Sequence, residues 1–318
     1  MNVLIYGGGA VGLGLASCLI RPGTRVGILA RTQTAAALTT EGLLRTGIFG
    51  RTHAKPEAFR CCCSLDEAVG GPYDFVLICT KSFDSASAAK DLAEHETCLG
   101  AGASLVLFQN GWGNAAAFSA HFEKHRIYNA RVITGFHRHR PNEVEITVHA
   151  DAIHIGSLFA ADLSAIEPLA RAIREGGIPC ESSGSIEKDL WAKMLYNCAL
   201  NPLGAILGVP YGALAEAAST RALMGRIVEE VFAVMVAAGY QTHWRAPKQF
   251  LDVFYGRLVP DTAKHKSSML QDIIAGKRTE IDALNGAVIQ LAQEHGVPVP
   301  SNLAVYNLIR FLESPRDA

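Results

Sequence analysis

The stretch Asp189-Leu190-Trp191-Ala192-Lys193-Met194-Leu195-Tyr196-Asn197-Cys198-Ala199-Leu200-Asn201 holds residue types that could do proton chemistry. Read as a helix, it spaces Asp189, Lys193, Asn197 and Asn201 four residues apart, and the last three fall within an arc of roughly 80°. Leu190, Trp191, Met194, Leu195, Cys198, Ala199 and Leu200 fill most of the rest. Such a helix is expected to be buried, with one polar stripe that must face something polar. A lysine at a solvated edge beside two incidental asparagines would give the same letters. Asn is a poor helix former, however, and two of them aligned with a lysine tilt the reading toward a site. An ammonium beside two amides can bind a polar group and give up a proton.

A second set opens the chain. Gly7-Gly8-Gly9-Ala10-Val11-Gly12 matches G-x-G-x-x-G, with the short β-rich run Asn2 to Tyr6 before it and a helix expected over Leu13 to Ile20. In a dinucleotide fold Gly7 permits the tight turn, Gly9 lets a pyrophosphate approach the backbone, and Gly12 lets helix and strand pack closely. The helix N-terminus then offers its N–H groups to phosphate. Thr24 to Ala30 reads as the next strand. At its end, where an NAD site wants Asp or Glu, stand Arg31 and Thr32. A guanidinium suits a 2′-phosphate, which points to NADP(H).

Two further strands end in polar residues. Phe75-Val76-Leu77-Ile78-Cys79 runs into Thr80-Lys81-Ser82, and Ser104 to Phe108 runs into Gln109-Asn110-Gly111. Lys81 and Asn110 thus lie at carboxyl ends of strands, where α/β sheets bind ligands. Asn-Gly is also a common turn, so Asn110 has a conformational reading too. Later in the chain, Gly276 is placed to end one helix and Thr279 to cap the next, with Glu280 in its first turn. A carboxylate there suits the helix dipole without any other role.

The elements that position these residues suggest an α/β protein: a Rossmann-type dinucleotide-binding domain over residues 1–184 and an all-α domain over 185–318. A length of 318 residues favours two domains. Ser64-x-x-Glu67 looks like a capping box opening a short helix. Thr39 to Arg60 yields only short strands or loops. Ile127 to Thr134 continues the sheet. Val144, Ile146 and Val148 alternate with polar residues and Ala152 to Ile155 follows across a short turn, a pattern of antiparallel strands with one wet face. Between them, His137-Arg138-His139-Arg140 reads as a solvated loop. Pro202 should disturb the Lys193 helix by freeing the Cys198 carbonyl.

The remaining features exclude whole classes of function. A formal net charge of −1 argues against nucleic acid or anionic membrane as the main partner. Eight cysteines in a chain this long make no disulfide scaffold, and Cys61-Cys62-Cys63 lacks the spacing of a metal site, so no metal is expected. With no secretory leader read at the amino end, a reducing cytoplasm is the expected home.

Together these motifs resemble the ketopantoate reductase family. The resemblance covers most of the chain: the glycine motif, Thr80-Lys81-Ser82, Gln109-Asn110-Gly111, and Trp191-x-Lys193-x-x-x-Asn197-x-x-x-Asn201-Pro202-Leu203. It continues through Ser267-Ser268-Met269-x-Gln271-Asp272 and Thr279-Glu280-Ile281-Asp282-x-Leu284-Asn285-Gly286. It implies an NADPH-dependent reductase of 2-keto acids, with the active site in the cleft between a Rossmann domain and a helical one. By that resemblance Lys193 is the general acid and Glu280 holds the forming hydroxyl. Asn197 and Asn201 hold the substrate's polar groups, Ser268 its carboxylate, and Asn110 lies by the lysine and nicotinamide. Arg31 and Lys81 serve the cofactor. Ketone reduction does need a proton donor beside the developing alkoxide, and desolvation lowers an amine's pKa toward that task.

The chain departs from the family at His265, where Asn is usual, and after Thr134, where it reads Pro141-Asn142-Glu143-Val144 and Val148-His149-Ala150-Asp151. The expected reaction is 2-dehydropantoate to pantoate, for pantothenate and coenzyme A. The same chemistry on another 2-keto acid is the nearest alternative. A non-catalytic module sensing NADP(H) is a rival from another class, although a sensor needs no proton donor. A homodimer is one assembly this reading allows.

Overall fold

A computed structural model describes residues 1–68 and 71–314. Its first part runs β1 (Asn2–Tyr6), α1 (Ala10–Leu19), β2 (Arg25–Leu29), α2 (Thr32–Glu41), β3 (Leu43–Gly47), β4 (Thr52–Ala54), β5 (Arg60–Cys62) and β6 (Tyr73–Ile78). It continues with α3 (Ser85–Glu94), β7 (Leu99–Leu107), α4 (Asn114–Ser119), β8 (Ile127–Arg140), β9 (Glu143–Gly156), α5 (Glu167–Glu175) and β10 (Cys180–Ser182). The strands form one sheet in the order β4-β3-β9-β8-β7-β6-β1-β2-β5, with β10 beside β9. β1 pairs in parallel with both β2 and β6, and β6 in parallel with β7.

The apolar runs of β1 and β6 are continuous because both faces of the sheet are covered. Alternation divides them between two cores. Val3, Ile5, Phe75, Leu77 and Val106 pack with Leu13 and Leu15 of α1 and Leu169 and Ile173 of α5. Leu4, Tyr6, Val76, Ile78 and Leu105 pack on the other face with Ala88, Ala89 and Leu92 of α3.

Three expectations are corrected here. No turn precedes Ala152: β9 is one strand from Glu143 to Gly156. Ser64 to Glu67 opens no helix; Ala68 N donates to Leu65 O in a tight turn, and Glu67 Oε2 accepts the Cys63 N–H at 3.0 Å. The carboxylate does reach back to an upstream N–H as in a capping box, but among the described residues no helix follows it. His137 to Arg140 is the end of β8 and not a loop: β8 and β9 form one long antiparallel hairpin, with His137 opposite Glu145 and Arg138 opposite Val144. The segment stays extended because Val144 and Ile146 of β9 are fully buried beneath it.

The second part is helical: α6 (Ile186–Leu207), α7 (Tyr211–Glu216), α8 (Ala218–Ala237), α9 (Pro247–Val253), α10 (Val259–Asp261), α11 (Ser268–Ile274), α12 (Asn285–His295) and α13 (Pro300–Glu313). By contacts the chain divides into two units, one of Met1–Gln109 with Asn114–Ile186 and one of Glu187–Ala318 with Asn110–Gly113. The four-residue piece Asn110–Gly113 therefore belongs with the helices although the sheet unit flanks it in sequence. Among the described residues no helix is long and apolar enough to cross a membrane.

Helix α6 continues past Pro202 to Leu207. The carbonyl that proline leaves without its helical donor, Cys198 O, accepts Asn285 Nδ2 at 3.2 Å. Asn285 is fully buried and also donates to Asn302 Oδ1 at 2.9 Å, while Asn302 donates to Glu230 of α8 at 2.8 Å. One buried amide network thus ties α6, α8, α12 and α13. Truncating Asn285→Ala orphans two buried acceptors and is expected to cost about 3 kcal/mol. Urea unfolding reads this directly, and a loss below about 1 kcal/mol would show that the Cys198 carbonyl does not depend on it.

Candidate active site

In the sheet unit the glycine turn leaves β1 and enters α1. Gly7 takes a φ of +117°, and a Cβ there would stand 2.9 Å from both Cys79 C and Thr80 N. A Cβ on Gly12 would lie 2.0 Å from Gly7 O, so any side chain would force helix and turn apart. Beside Gly9 the space is open, its nearest neighbour being Cys79 O at 3.9 Å. Gly8 shares this turn, and Ala10 and Val11 start α1, whose first N–H groups no side chain caps. An open backbone cradle ending in uncapped N–H groups is a donor set that fits a pyrophosphate.

Arg31 is exposed and immediately precedes α2 at the end of β2. Lys81 follows β6 and precedes a single turn, Ser82–Asp84. Gln109, at the end of β7, donates its amide to Thr80 Oγ1 at 3.3 Å and to Lys81 O at 3.1 Å, which holds the two loops together.

In the helical unit three of the singled-out side chains meet. Lys193 Nζ donates to Asn110 Oδ1 at 2.5 Å, and Asn110 Nδ2 donates to Glu280 Oε2 at 3.3 Å. The amide's orientation is fixed by its partners, because an ammonium can only donate and a carboxylate can only accept. Lys193 is half-buried and Glu280 is 7% exposed. Asn110 is held there by its neighbours. Gly111 adopts a φ of +91°, where a Cβ would meet Ala283 O at 2.3 Å, and Trp112 N donates to that same oxygen at 2.8 Å. The Trp112 ring packs 4.7 Å from Trp191 and 4.8 Å from Tyr240. Asn110-Gly111 is a conformational pair whose amide also bridges Lys193 and Glu280. The fixing residues Trp112 and Tyr240 escaped sequence reading, although Trp112 directly follows that pair.

Glu280 is not in the first turn of a long helix. Thr279 Oγ1 accepts Ile281 N at 3.2 Å and opens only the short turn Ile281–Ala283, and α12 starts afresh at Asn285. The break falls at Leu284, whose φ of −101° and ψ of −103° are not helical; ahead of it the Thr279 N–H is held by Glu313 Oε1 at 2.6 Å, and beyond it Asn285 joins the core network. The carboxylate accepts from Asn110, so matching a helix dipole does not account for its place.

Asn197 and Asn201 follow Lys193 along α6 and are 8% and 4% exposed. Among the described residues nothing hydrogen-bonds the Asn197 amide. A buried amide that spends no bond on the protein is a ready receptor for a ligand. Asn201 Oδ1 accepts from Tyr211 Oη at 2.6 Å, which turns its Nδ2 into the group left to offer. Tyr211 is another residue sequence reading missed, with no spacing signal to reveal it.

Ser268 is the exposed first residue of α11. Its neighbour Ser267 is fully buried, caps α11 through Leu270 N at 3.0 Å and donates to Asn201 O at 3.2 Å. His265 packs 5.3 Å from the Tyr211 ring, and burial lowers its pKa, so it is neutral at pH 7.

Cys61 and Cys62 stand apart from all of this. Desolvation pushes Cys61 up to about 12 and Cys62 to about 11, so neither is a thiolate at pH 7. Among the described residues no group of His, Cys, Asp and Glu could hold a metal ion.

A glycine cradle for a dinucleotide and a lysine–amide–carboxylate chain are the equipment of an oxidoreductase that moves a hydride and a proton. Family comparison makes this definite. Residues 3–159 match the model described as ketopantoate reductase PanE/ApbA, and residues 185–313 match its C-terminal counterpart. The 2-dehydropantoate 2-reductase of Aquifex aeolicus is 34% identical over 98% of this chain and 97% of its own length. The crystal structure of a PanE/ApbA family ketopantoate reductase from Ralstonia eutropha aligns with a TM-score of 0.84 at 31% identity, covering 98% of both chains. A D-mandelate dehydrogenase solved with NADH and anilino(oxo)acetate shares the fold, with a TM-score of 0.86 at 21% identity over 98% of both chains. The chain belongs to the ketopantoate reductase family of oxidoreductases.

Proposed function

We propose that the chain reduces a 2-keto acid to a 2-hydroxy acid with NADPH, 2-dehydropantoate to pantoate foremost, and that Lys193 is the general acid. The observation that carries this reading is the chain Lys193–Asn110–Glu280. Cofactor binding is assigned to residues 1–184 and substrate handling to 185–318, with Asn110 contributed from the first span. The name borne by the Aquifex aeolicus relative supports 2-dehydropantoate as the substrate.

The bound dinucleotide would supply the hydride to the keto carbon. As that carbon is reduced, the keto oxygen gains charge and takes a proton from the Lys193 ammonium. Asn110 fixes the ammonium by accepting one of its N–H groups, which leaves the others to point at substrate. Glu280 anchors the Asn110 amide and accepts from the new hydroxyl. Asn197 and the Asn201 Nδ2 bind the substrate's polar groups, and the Ser268 hydroxyl donates to its carboxylate. Lysine is left neutral and recovers its proton from solvent. The glycine cradle, Lys81 and Arg31 hold the dinucleotide, with Arg31 on the 2′-phosphate because no carboxylate stands at the end of β2 to take a ribose hydroxyl.

The test is NADPH oxidation with 2-dehydropantoate beside a panel of branched and aromatic 2-keto acids. Oxidation with none of them would favour a nucleotide sensor. The cofactor assignment has its own check. Arg31→Ala should weaken NADPH by roughly 10- to 100-fold, the worth of a hydrogen bond to a charged group, and leave NADH nearly unchanged. Equal losses for both cofactors would remove Arg31 from the 2′-phosphate.

A further inference from the structure

The basic run at the end of β8 has no part in the account so far, yet one of its members reaches the cofactor cradle. Arg138 Nη1 lies 3.3 Å from Gly8 O and 3.2 Å from Thr34 Oγ1. Gly8 belongs to the glycine turn. Thr34 is in the first turn of α2, and its N–H bonds back to Arg31 O at 2.9 Å. A single guanidinium thus stitches together the two backbone pieces that flank the adenosine half of a dinucleotide in this class of fold.

Its charge is what sets it apart from its neighbours. On the same hairpin, Arg140 pairs with Glu41 at 3.2 Å and His139 with Glu145 at 2.6 Å. Among the described residues neither Arg138 nor Arg31 has a carboxylate within 4.0 Å. Two arginines without counter-charge therefore meet at one helical turn, Arg31 as the residue that precedes α2 and Arg138 through Thr34 Oγ1. The helix adds to them, since no side chain caps α2 and its N-terminus carries partial positive charge. Like charges gathered this way repel, and a dianion between them relieves the repulsion. Arg138 spends Nη1 on two neutral oxygens and keeps Nη2 and Nε for such a group.

We propose that Arg138 is the second cationic arm of the 2′-phosphate site, closing with Arg31 on the adenosine phosphate that distinguishes NADP(H) from NAD(H). The inference rests on the NADP(H) reading above. It adds a specificity residue from a strand far along the chain from the end of β2, where such residues are ordinarily sought.

Isothermal titration with 2′,5′-ADP and with 5′-AMP tests it without turnover. Wild type should prefer 2′,5′-ADP. Arg138→Ala should bind 2′,5′-ADP roughly 10- to 100-fold more weakly, with 5′-AMP nearly unaffected. Arg138→Lys, which keeps the charge and loses the fork, should fall between. Thermal melting of each variant confirms that it is folded. An Arg138→Ala protein that keeps wild-type affinity for 2′,5′-ADP while Arg31→Ala loses it would overturn the proposal and leave the NADP(H) reading standing. Equal weakening of both nucleotides would also overturn it, making Arg138 a brace for the glycine turn. A wild type that does not distinguish the two ligands would bring down both readings.

Discussion

Lys193→Ala protein is expected to turn over roughly 10²–10⁴ times more slowly than wild type, the usual worth of a positioned acid. Loss of the ammonium's field at the developing alkoxide deepens the drop. The variant should still fold. The side chains that pack α6, namely Trp191, Met194, Leu195 and Cys198, are untouched, and alanine is the best helix former. NADPH affinity should also persist, because the glycine cradle and Arg31 lie in the sheet unit whereas Lys193 lies in the helical one. Steady-state kinetics beside nucleotide titration separates the effects. A folded Lys193→Ala protein with near-normal kcat would end the assignment.

Glu280→Gln should lower kcat by roughly 10- to 100-fold and should also change the pH dependence. Glutamine is isosteric, so Asn110 keeps an acceptor at the Oε position and the turn Ile281–Ala283 keeps its start. What disappears is a negative charge one amide away from the Lys193 ammonium. A nearby carboxylate favours the charged amine, so its removal lets Lys193 lose its proton at lower pH. Activity that requires the protonated amine is present below that pKa and lost above it. The alkaline limb of the kcat profile should therefore move to lower pH. Unchanged kcat with an unmoved limb would leave Glu280 a buried structural carboxylate.

Much of this arrangement was legible in the sequence because it obeys local rules. The glycine spacing, the apolar runs of β1 and β6 and the polar stripe on α6 are each set by periodicities of a few residues. Gly276 behaves as a stop for the same reason, at a φ of +60°. The freed Cys198 carbonyl was foreseeable from Pro202 alone. Its partner was not, since Asn285 lies 87 residues on and only the packing of α12 against α6 brings it there.

The same limit explains the misreadings. His137 to Arg140 has a loop's composition, but Val144 and Ile146 across the hairpin hold it in a strand. Thr279-Glu280 has the letters of a helix start, but the backbone leaves helical geometry at Leu284, with φ −101° and ψ −103°, after one turn. Asn110 was visible at a strand end, whereas its contact with Lys193 spans 83 residues and depends on Trp112 seating between Trp191 and Tyr240.

The most direct test of the central claim is the pH profile of kcat for wild type and Lys193→Ala, measured with NADPH and the best 2-keto acid under conditions where the chemical step limits turnover. Wild-type reduction should decline as pH rises through the Lys193 pKa in the complex, because only the ammonium can donate. The residual activity of Lys193→Ala should show no such alkaline limb, the proton then coming from water. The same limb, at the same pH, in both proteins would contradict the account and place the proton donor elsewhere.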